Sequence, residues 1–338
     1  MRTIVNILVC ALLMLLSLFF PQGHCQNSQS PIAADTLQAE QLAEQARSFA
    51  KKSNYDSTIA KFKAAAAIYS RLANEYSEKV FWEKCLENLN QAGYYYWLNL
   101  QSAQALRLLD SVVVLVSAHL DTNHFQMAKA NHSIGVVYID SGKFGLSEKA
   151  LQKALRIYQR TLGKKHKEAG LVYTSLGILY YQRTDYDLSI RNIKEALNIF
   201  NGQNEDVRFP IARAHLNLGR AYWRSGDLNE AIVQFTTSVD ICEDLYPPNH
   251  PQIARTISNL VAVYSEKGDY DTALLYANRG LQIFKENDVN QRSIHAAIVQ
   301  ATNELGDVYR NKRQLETARD YYLESLRLST QISFPPGR

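Results

Sequence analysis

The sequence predicts an all-α fold, a solenoid of about seven stacked helix hairpins, from three observations. Tyr96, Tyr138, Tyr180, Tyr222 and Tyr264 stand 42 residues apart, and a fixed period between about 20 and 50 residues marks a stacked repeat array. Gly93, Gly135, Gly177 and Gly219 precede four of these tyrosines by three, Val261 takes the fifth place, and after a three-residue insertion the pair returns as Gly306 and Tyr309. A weaker copy stands at Ala46 and Phe49. Finally, between Leu42 and Thr330 the prolines are Pro210, Pro247, Pro248 and Pro251, all at expected repeat boundaries, and no strand-like alternation interrupts the helical pattern.

Taken in order, the chain opens with Arg2 and an apolar run from Ile4 to Phe20, broken by Asn6 and Ser17 and stopped by Pro21. That layout reads as a secretory signal peptide, residues 1–25, cut after Cys25 to leave Gln26 first. A lipid anchor on Cys25 is the alternative. Residues 26–38 are polar with Pro31 and read as a linker. Repeats are expected at about 39–72, 86–119, 128–161, 170–203, 212–245, 254–287 and 299–332, within a solenoid of 39–330, with a tail at 331–338.

The unit around Gly177 shows why each period is a helix pair. Tyr173, Leu176, Gly177 and Tyr180 form one stripe at spacings of three and four, and Ser189, Ile193, Ala196, Leu197 and Phe200 form a second. A polar turn, Thr184 to Asp187, separates them, and its siblings carry Gly142, Gly226 and Gly268. Ala105, Ser147, Ser189, Ala231, Ala273 and Ala318 begin the second helices. These small residues are expected to let the backbones close, with the first-helix glycine receiving them and the tyrosine three residues on filling the interior.

Leu176, Gly177, Tyr180, Ser189, Ala196 and Leu197 resemble the tetratricopeptide repeat, and the likeness runs over about residues 39–330. The period of 42, with Leu162-Gly163-Lys164-Lys165-His166 between units, resembles the long repeats of kinesin light chains. The resemblance implies a right-handed superhelix whose groove is lined by the first helices. It also implies that groove residues fall at the second, fifth, sixth, ninth, twelfth and thirteenth places of a unit. Carried onto the fifth to seventh units, the candidate partner-binding residues are Arg213, Asn217, Arg220, Trp223, Arg224, Arg255, Asn259, Asn303 and Arg310, with Leu216, Ser258 and Asp307 among them. Earlier units contribute Val136, Ile139, Ile178 and Tyr181, a more apolar half. Arginine forks take carboxylates and asparagine takes both sides of an extended backbone, so the set suits a protein or peptide that is acidic or ends in a free carboxylate.

Composition is neutral on other partners. With 37 Lys and Arg against 33 Asp and Glu, the charge gives no case for nucleic acid. Cys85 and Cys242 lie more than three repeats apart, beyond disulfide reach, and read as buried thiols. His124, His166 and His250 share a repeat phase, with Arg208 in the fourth place. Equivalent places in stacked units are too far apart to share a metal, so the histidines read as helix-entry residues. No catalytic motif appears, and neither enzyme activity, cofactor nor metal is expected. The function expected is an exported interaction scaffold, periplasmic or extracellular in a Gram-negative bacterium, touching membrane only through the signal segment or the anchor. The alternative is the regulatory part of a split or truncated protein, since similar arrays precede caspase-like proteases or signalling kinases.

Overall fold

A computed structural model describes residues 31–287 and 292–333; the signal segment, Cys25, residues 26–30 and residues 334–338 of the tail lie outside them. Among the described residues there are fourteen α-helices and no strand. They pair as α1 (Pro31–Lys51) with α2 (Tyr55–Tyr76), α3 (Lys79–Leu98) with α4 (Ser102–His119), and α5 (Phe125–Asp140) with α6 (Phe144–Thr161). Next come α7 (Lys167–Gln182) with α8 (Tyr186–Phe200), α9 (Arg208–Ser225) with α10 (Leu228–Leu245), α11 (Pro251–Lys267) with α12 (Tyr270–Lys285), and α13 (Arg292–Asn311) with α14 (Leu315–Ser333).

The chain forms two compact units, the first ending at Cys85 and the second beginning at Leu86. In the first, α1 packs along α2 and buries Ala39, Ala43 and Ala46, while α2 buries Ile59, Phe62, Tyr69 and Leu72. Residues 31–38, expected as linker, are instead the opening turns of α1. Pro31 at a helix start costs no hydrogen bond, Ala33 and Ala34 favour helix, and the polar side chains that suggested a linker belong to the helix surface.

One contact recurs through the second unit. A Cβ added at Gly93, Gly135, Gly177, Gly219 or Gly306 would come within 2.6 Å of Leu109 or Leu151, 2.3 Å of Ile193, or 2.6 Å of Phe235 or Tyr322. Each of these large side chains stands 16 residues after its glycine, on the partner helix, and fills the space a side chain would need. In the sixth hairpin Val261 replaces the glycine and Ala277 replaces the large residue, both buried. Large and small have changed places at constant volume. In the first unit Ala46 and Phe62 stand in the same relation, both buried.

This corrects the expected packing. The glycine receives the large residue, while the small residues four places earlier sit against the first-helix backbone as expected. Ser147 Oγ donates to Gly135 O at 2.8 Å and Ser189 Oγ to Gly177 O at 2.8 Å, while Ala105, Ala231 and Ala273 are fully buried. The tyrosines fill the interior only in part: all six from Tyr96 to Tyr309 are half-buried at the end of the first helix, and Tyr138, Tyr180, Tyr222, Tyr264 and Tyr309 pack against the core. Their carbonyls accept the turn amides, as from Lys143, Asp185, Asp227 and Asp269, each at 2.9 Å.

Turns and entries repeat with equal regularity. Gly142, Gly226 and Gly268 have φ of 68°, 91° and 84°, and Thr184 occupies the same place at φ 62° without glycine, a left-handed backbone that β-branched residues resist. Asp185, Asp227 and Asp269 then cap α8, α10 and α12 by accepting from Leu188, Glu230 and Thr272. The histidine phase is capping too: Nδ1 of His124, His166 and His250 accepts from the amide two residues on at 3.2, 3.3 and 3.2 Å. At the fourth place Asp206 accepts from the Arg208 amide at 3.1 Å instead.

The open ends of two hairpins are tied by Gln203 Nε2 to Lys165 O at 2.7 Å, across α7 and α8, and by Asn287 Nδ2 to Asn249 O at 2.8 Å, across α11 and α12. Cys85 and Cys242 are buried and free, and burial pushes the Cys85 thiol up to about 11.

Gly177→Leu is expected to lose about 1–3 kcal/mol by overpacking against Ile193. Gly177→Val combined with Ile193→Ala, which copies the Val261–Ala277 arrangement, should recover most of that loss. Thermal and denaturant melts check both, and a Gly177→Leu melt matching the parent contradicts the packing.

Candidate binding groove

The locked hairpins leave one face of each first helix free. Within the second unit, residues of α3, α5, α7 and α9 line a single cavity of about 380 Å³, so successive first helices face a shared hollow. Asn90, Tyr94 and Trp97 come from α3, Lys129 and His132 from α5, Ser175 from α7 and Arg213 from α9. A second cavity of about 260 Å³ lies between α7, α9 and α11 and holds Arg213, Asn217 and Arg220 with Ile178, Leu216 and Thr256. A third, of about 410 Å³, lies between α11 and α13 and carries Glu266, Glu304, Asp307 and Arg310.

The structure sorts the candidate residues into groups. Arg213, Asn217 and Arg220 converge on the 260 Å³ cavity. Asn217 Nδ2 donates to Arg213 O at 2.9 Å, and Arg220 Nε donates to Asn259 Oδ1 at 3.3 Å, so Asn259 joins the group through Arg220. The groove walls strip water from both guanidiniums and lower their pKa values, although Arg213 keeps a solvent-accessible surface. Among the described residues neither forms an ion pair.

The remaining candidates stand apart. Trp223 donates Nε1–H to Glu266 Oε2 at 2.6 Å, tying α9 to α11. Trp97, three periods earlier, is held in the same way by Asp140. Arg310 pairs with Asp307 at 3.2 Å in the carboxylate-lined cavity. With Glu266, Glu304 and Asp307 against Arg310, this stretch of groove carries more acids than bases, and desolvation raises the Glu304 pKa. Arg224 is exposed and bonded to Tyr186, and Arg255 and Asn303 are exposed; none of the three lines these cavities. Among the apolar candidates, Val136, Ile178 and Tyr181 line groove cavities, whereas Ile139 is buried in the core.

Asn90, Lys129, His132 and Tyr94 were not named from the sequence, yet the positional pattern contains them. Asn90 and His132 are whole periods before Leu216 and Ser258, Lys129 is two periods before Arg213, and Tyr94 is three before Arg220. Carrying the pattern to the second and third units would have found all four. His132 Nε2 lies 2.8 Å from Ser175 Oγ, whose own proton goes to Leu171 O at 3.2 Å. Desolvation, then the charge of Arg213, brings the His132 pKa down to about 4, so the ring is neutral near pH 7.

Family models described as "Tetratricopeptide repeat" match residues 126–202 and 210–286, and a second such model matches 299–331. The chain therefore belongs to the tetratricopeptide-repeat family. Its fold is similar to that of nearly identical TPR-like repeats of a kinesin light chain from Podosopora anserina, at 17% identity and a TM-score of 0.55, over 64% of this chain and 99% of that one. It is also similar to a Rap protein complexed with Competence and Sporulation Factor, at 14% identity and a TM-score of 0.53, over 90% and 99%. The Rap conjugation gene regulator of plasmid pLS20, solved with the Phr* peptide, matches at 15% identity and a TM-score of 0.51, over 87% and 96%. No curated protein matches the sequence.

Proposed function

We propose that this chain is an interaction scaffold that holds a peptide or an extended segment of a partner protein against its first helices. The observation that carries this reading is the pair Arg213 and Arg220. Two guanidiniums line one cavity with no carboxylate on them, Arg213 exposed and Arg220 half-buried, beside the side-chain amide of Asn217. A cation fork without a counter-ion in a groove is free to take an acidic group or C-terminal carboxylate of a partner. Asn217 and Asn259 offer donors and acceptors at the spacing of a repeat, which suits a peptide backbone. Two neighbours of the same fold were solved with the Phr* peptide and with Competence and Sporulation Factor, which supports a bound partner in such a groove. Export is part of the proposal and rests on the run from Ile4 to Phe20. Among the described residues no helix is long and apolar enough to cross a membrane.

Arg220→Ala combined with Asn259→Ala is expected to weaken a peptide captured by the full chain by roughly 10-fold to 100-fold, the scale of one or two lost charge-assisted bonds. Titration calorimetry reads this, and unchanged affinity would remove the pair from the site. Export predicts that N-terminal sequencing of the chain recovered from its native cell begins at Gln26; a chain that still begins at Met1 contradicts it.

A further inference from the structure

The positive charges of this chain are unevenly placed. Its formal net charge is +4, yet from Lys143 to Lys167 it carries eight Lys and Arg and a single acid, Glu148, so the remainder is net acidic. Glu148 is taken by Arg183 at 2.9 Å and by the Tyr180 hydroxyl at 2.7 Å, and Lys167 pairs with Glu205 at 2.5 Å. Lys149, Lys153, Arg156 and Arg160 stand four, three and four residues apart on α6, which places them on one stripe. At 1.5 Å per residue the stripe is about 16 Å long. It points away from Ser147, Leu151, Ala154 and Tyr158 on the buried side of the helix.

Lys149, Arg156 and Arg160 are exposed, Lys153 is half-buried, and among the described residues none of the four is in an ion pair. Arg160 reaches only the neutral Asn123, at 3.5 Å. The place of Lys149 is exposed in later hairpins too, at Arg191, Val233 and Leu275, so this row faces outward along the stack. The stripe also breaks the repeat: at its second place α8 has Glu195, and at its last two α10 has Asp240 and Asp244. Stacking therefore does not require the four cations, and like charges at these spacings repel. Lys164 and Lys165 extend the positive surface beyond Arg160, and Leu146, 48% exposed, lies one turn before Lys149.

We propose that this outer face of α6 docks on an anionic membrane surface, with its ammonium and guanidinium groups among the lipid phosphates and Leu146 entering the headgroup boundary. Two lysines and two arginines on long stems suit a fluid array of phosphates, whereas a protein carboxylate held in one place favours a fixed arginine fork. The stripe holds no aromatic side chain on which a nucleic-acid base could stack, and an exposed leucine has a place at a lipid interface but none on a phosphate backbone. This is a membrane contact beyond the one expected of the signal segment or anchor. It stands apart from the peptide reading, because the groove cavities lie mainly against first helices and α6 is a second helix.

The test measures binding of the full chain to vesicles of phosphatidylcholine alone and of equal parts phosphatidylcholine and phosphatidylglycerol. The neutral vesicles report what the apolar run from Ile4 to Phe20 contributes, so the ratio of the two affinities isolates the charge. Each cation at an anionic surface strengthens binding about 5-fold, and the parent should prefer the anionic vesicles by at least about 100-fold. That preference should fall steeply with added salt. Lys149→Gln, Lys153→Gln, Arg156→Gln and Arg160→Gln together should remove most of it without shifting the thermal melt, and Arg156→Gln alone, at an exposed place, should cost about 5-fold. A control with Lys51→Gln, Lys52→Gln, Lys63→Gln and Lys285→Gln has the same net charge and should stay within about 5-fold of the parent, since charges beyond a screening length count little. An equal loss in the control would reduce the effect to net charge and overturn the surface, as would equal affinity of the parent for both vesicles. Tighter binding to double-stranded DNA than to anionic vesicles, at matched phosphate concentration, would overturn lipid as the partner.

Discussion

The contact on which the rest of this structure depends is the insertion of one large side chain into the space left by a glycine on the partner helix. It brings the two backbones of each hairpin close and sets which faces remain outside. From α6 to α12 each second helix packs on its own first helix and on the first helix of the next hairpin, while the cavities lie mainly against the first helices. The groove is therefore a by-product of how the hairpins close. The exchange at Val261 and Ala277 shows that total volume, rather than glycine as such, is what the hairpin requires.

On that scaffold, residues that keep the period and residues that break it divide the work. The caps at His124, His166 and His250 and the carbonyl ties of Gln203 and Asn287 recur because every hairpin must begin and must close its open end. Trp97 and Trp223 belong with them: each reaches one repeat onward to a carboxylate, although both border the groove. Asn90, His132 and Arg220 also reach one repeat onward, to Gln126, Ser175 and Asn259, and with Lys129 and Arg213 they are polar groups that line the groove cavities. The sign of charge changes along it, cationic where α9 faces α5 and α7 and acidic between α11 and α13 around Glu304.

Much of the fold was legible because the elements that build it repeat in type as well as place. The glycines, tyrosines and small residues could be aligned by eye, and the helix pairs followed. The large partner of each glycine was missed because its identity wanders through Leu109, Leu151, Ile193, Phe235 and Tyr322; only its offset is constant. The opening turns of α1 were missed because a polar stretch with a proline resembles a linker until Ala39 is seen to be buried. Arg213, Asn217 and Arg220 were named from position alone, and the structure places them on one cavity. Arg224, Arg255 and Asn303 fit the same positions, yet position does not say whether a neighbouring helix closes over the side chain. Asn90 shares the position of Leu216, but the buried oxygen without a donor that sets it apart is visible only in three dimensions.

The central claim is that the first helices hold the ligand while the glycine contacts and second helices hold the stack. Hydrogen–deuterium exchange of the full chain, with and without a captured peptide, tests it most directly. The account predicts added protection in α3, α5, α7 and α9 on binding and little change in α6, α8 and α10. Protection confined to the second helices, or spread evenly over all the hairpins, would contradict it.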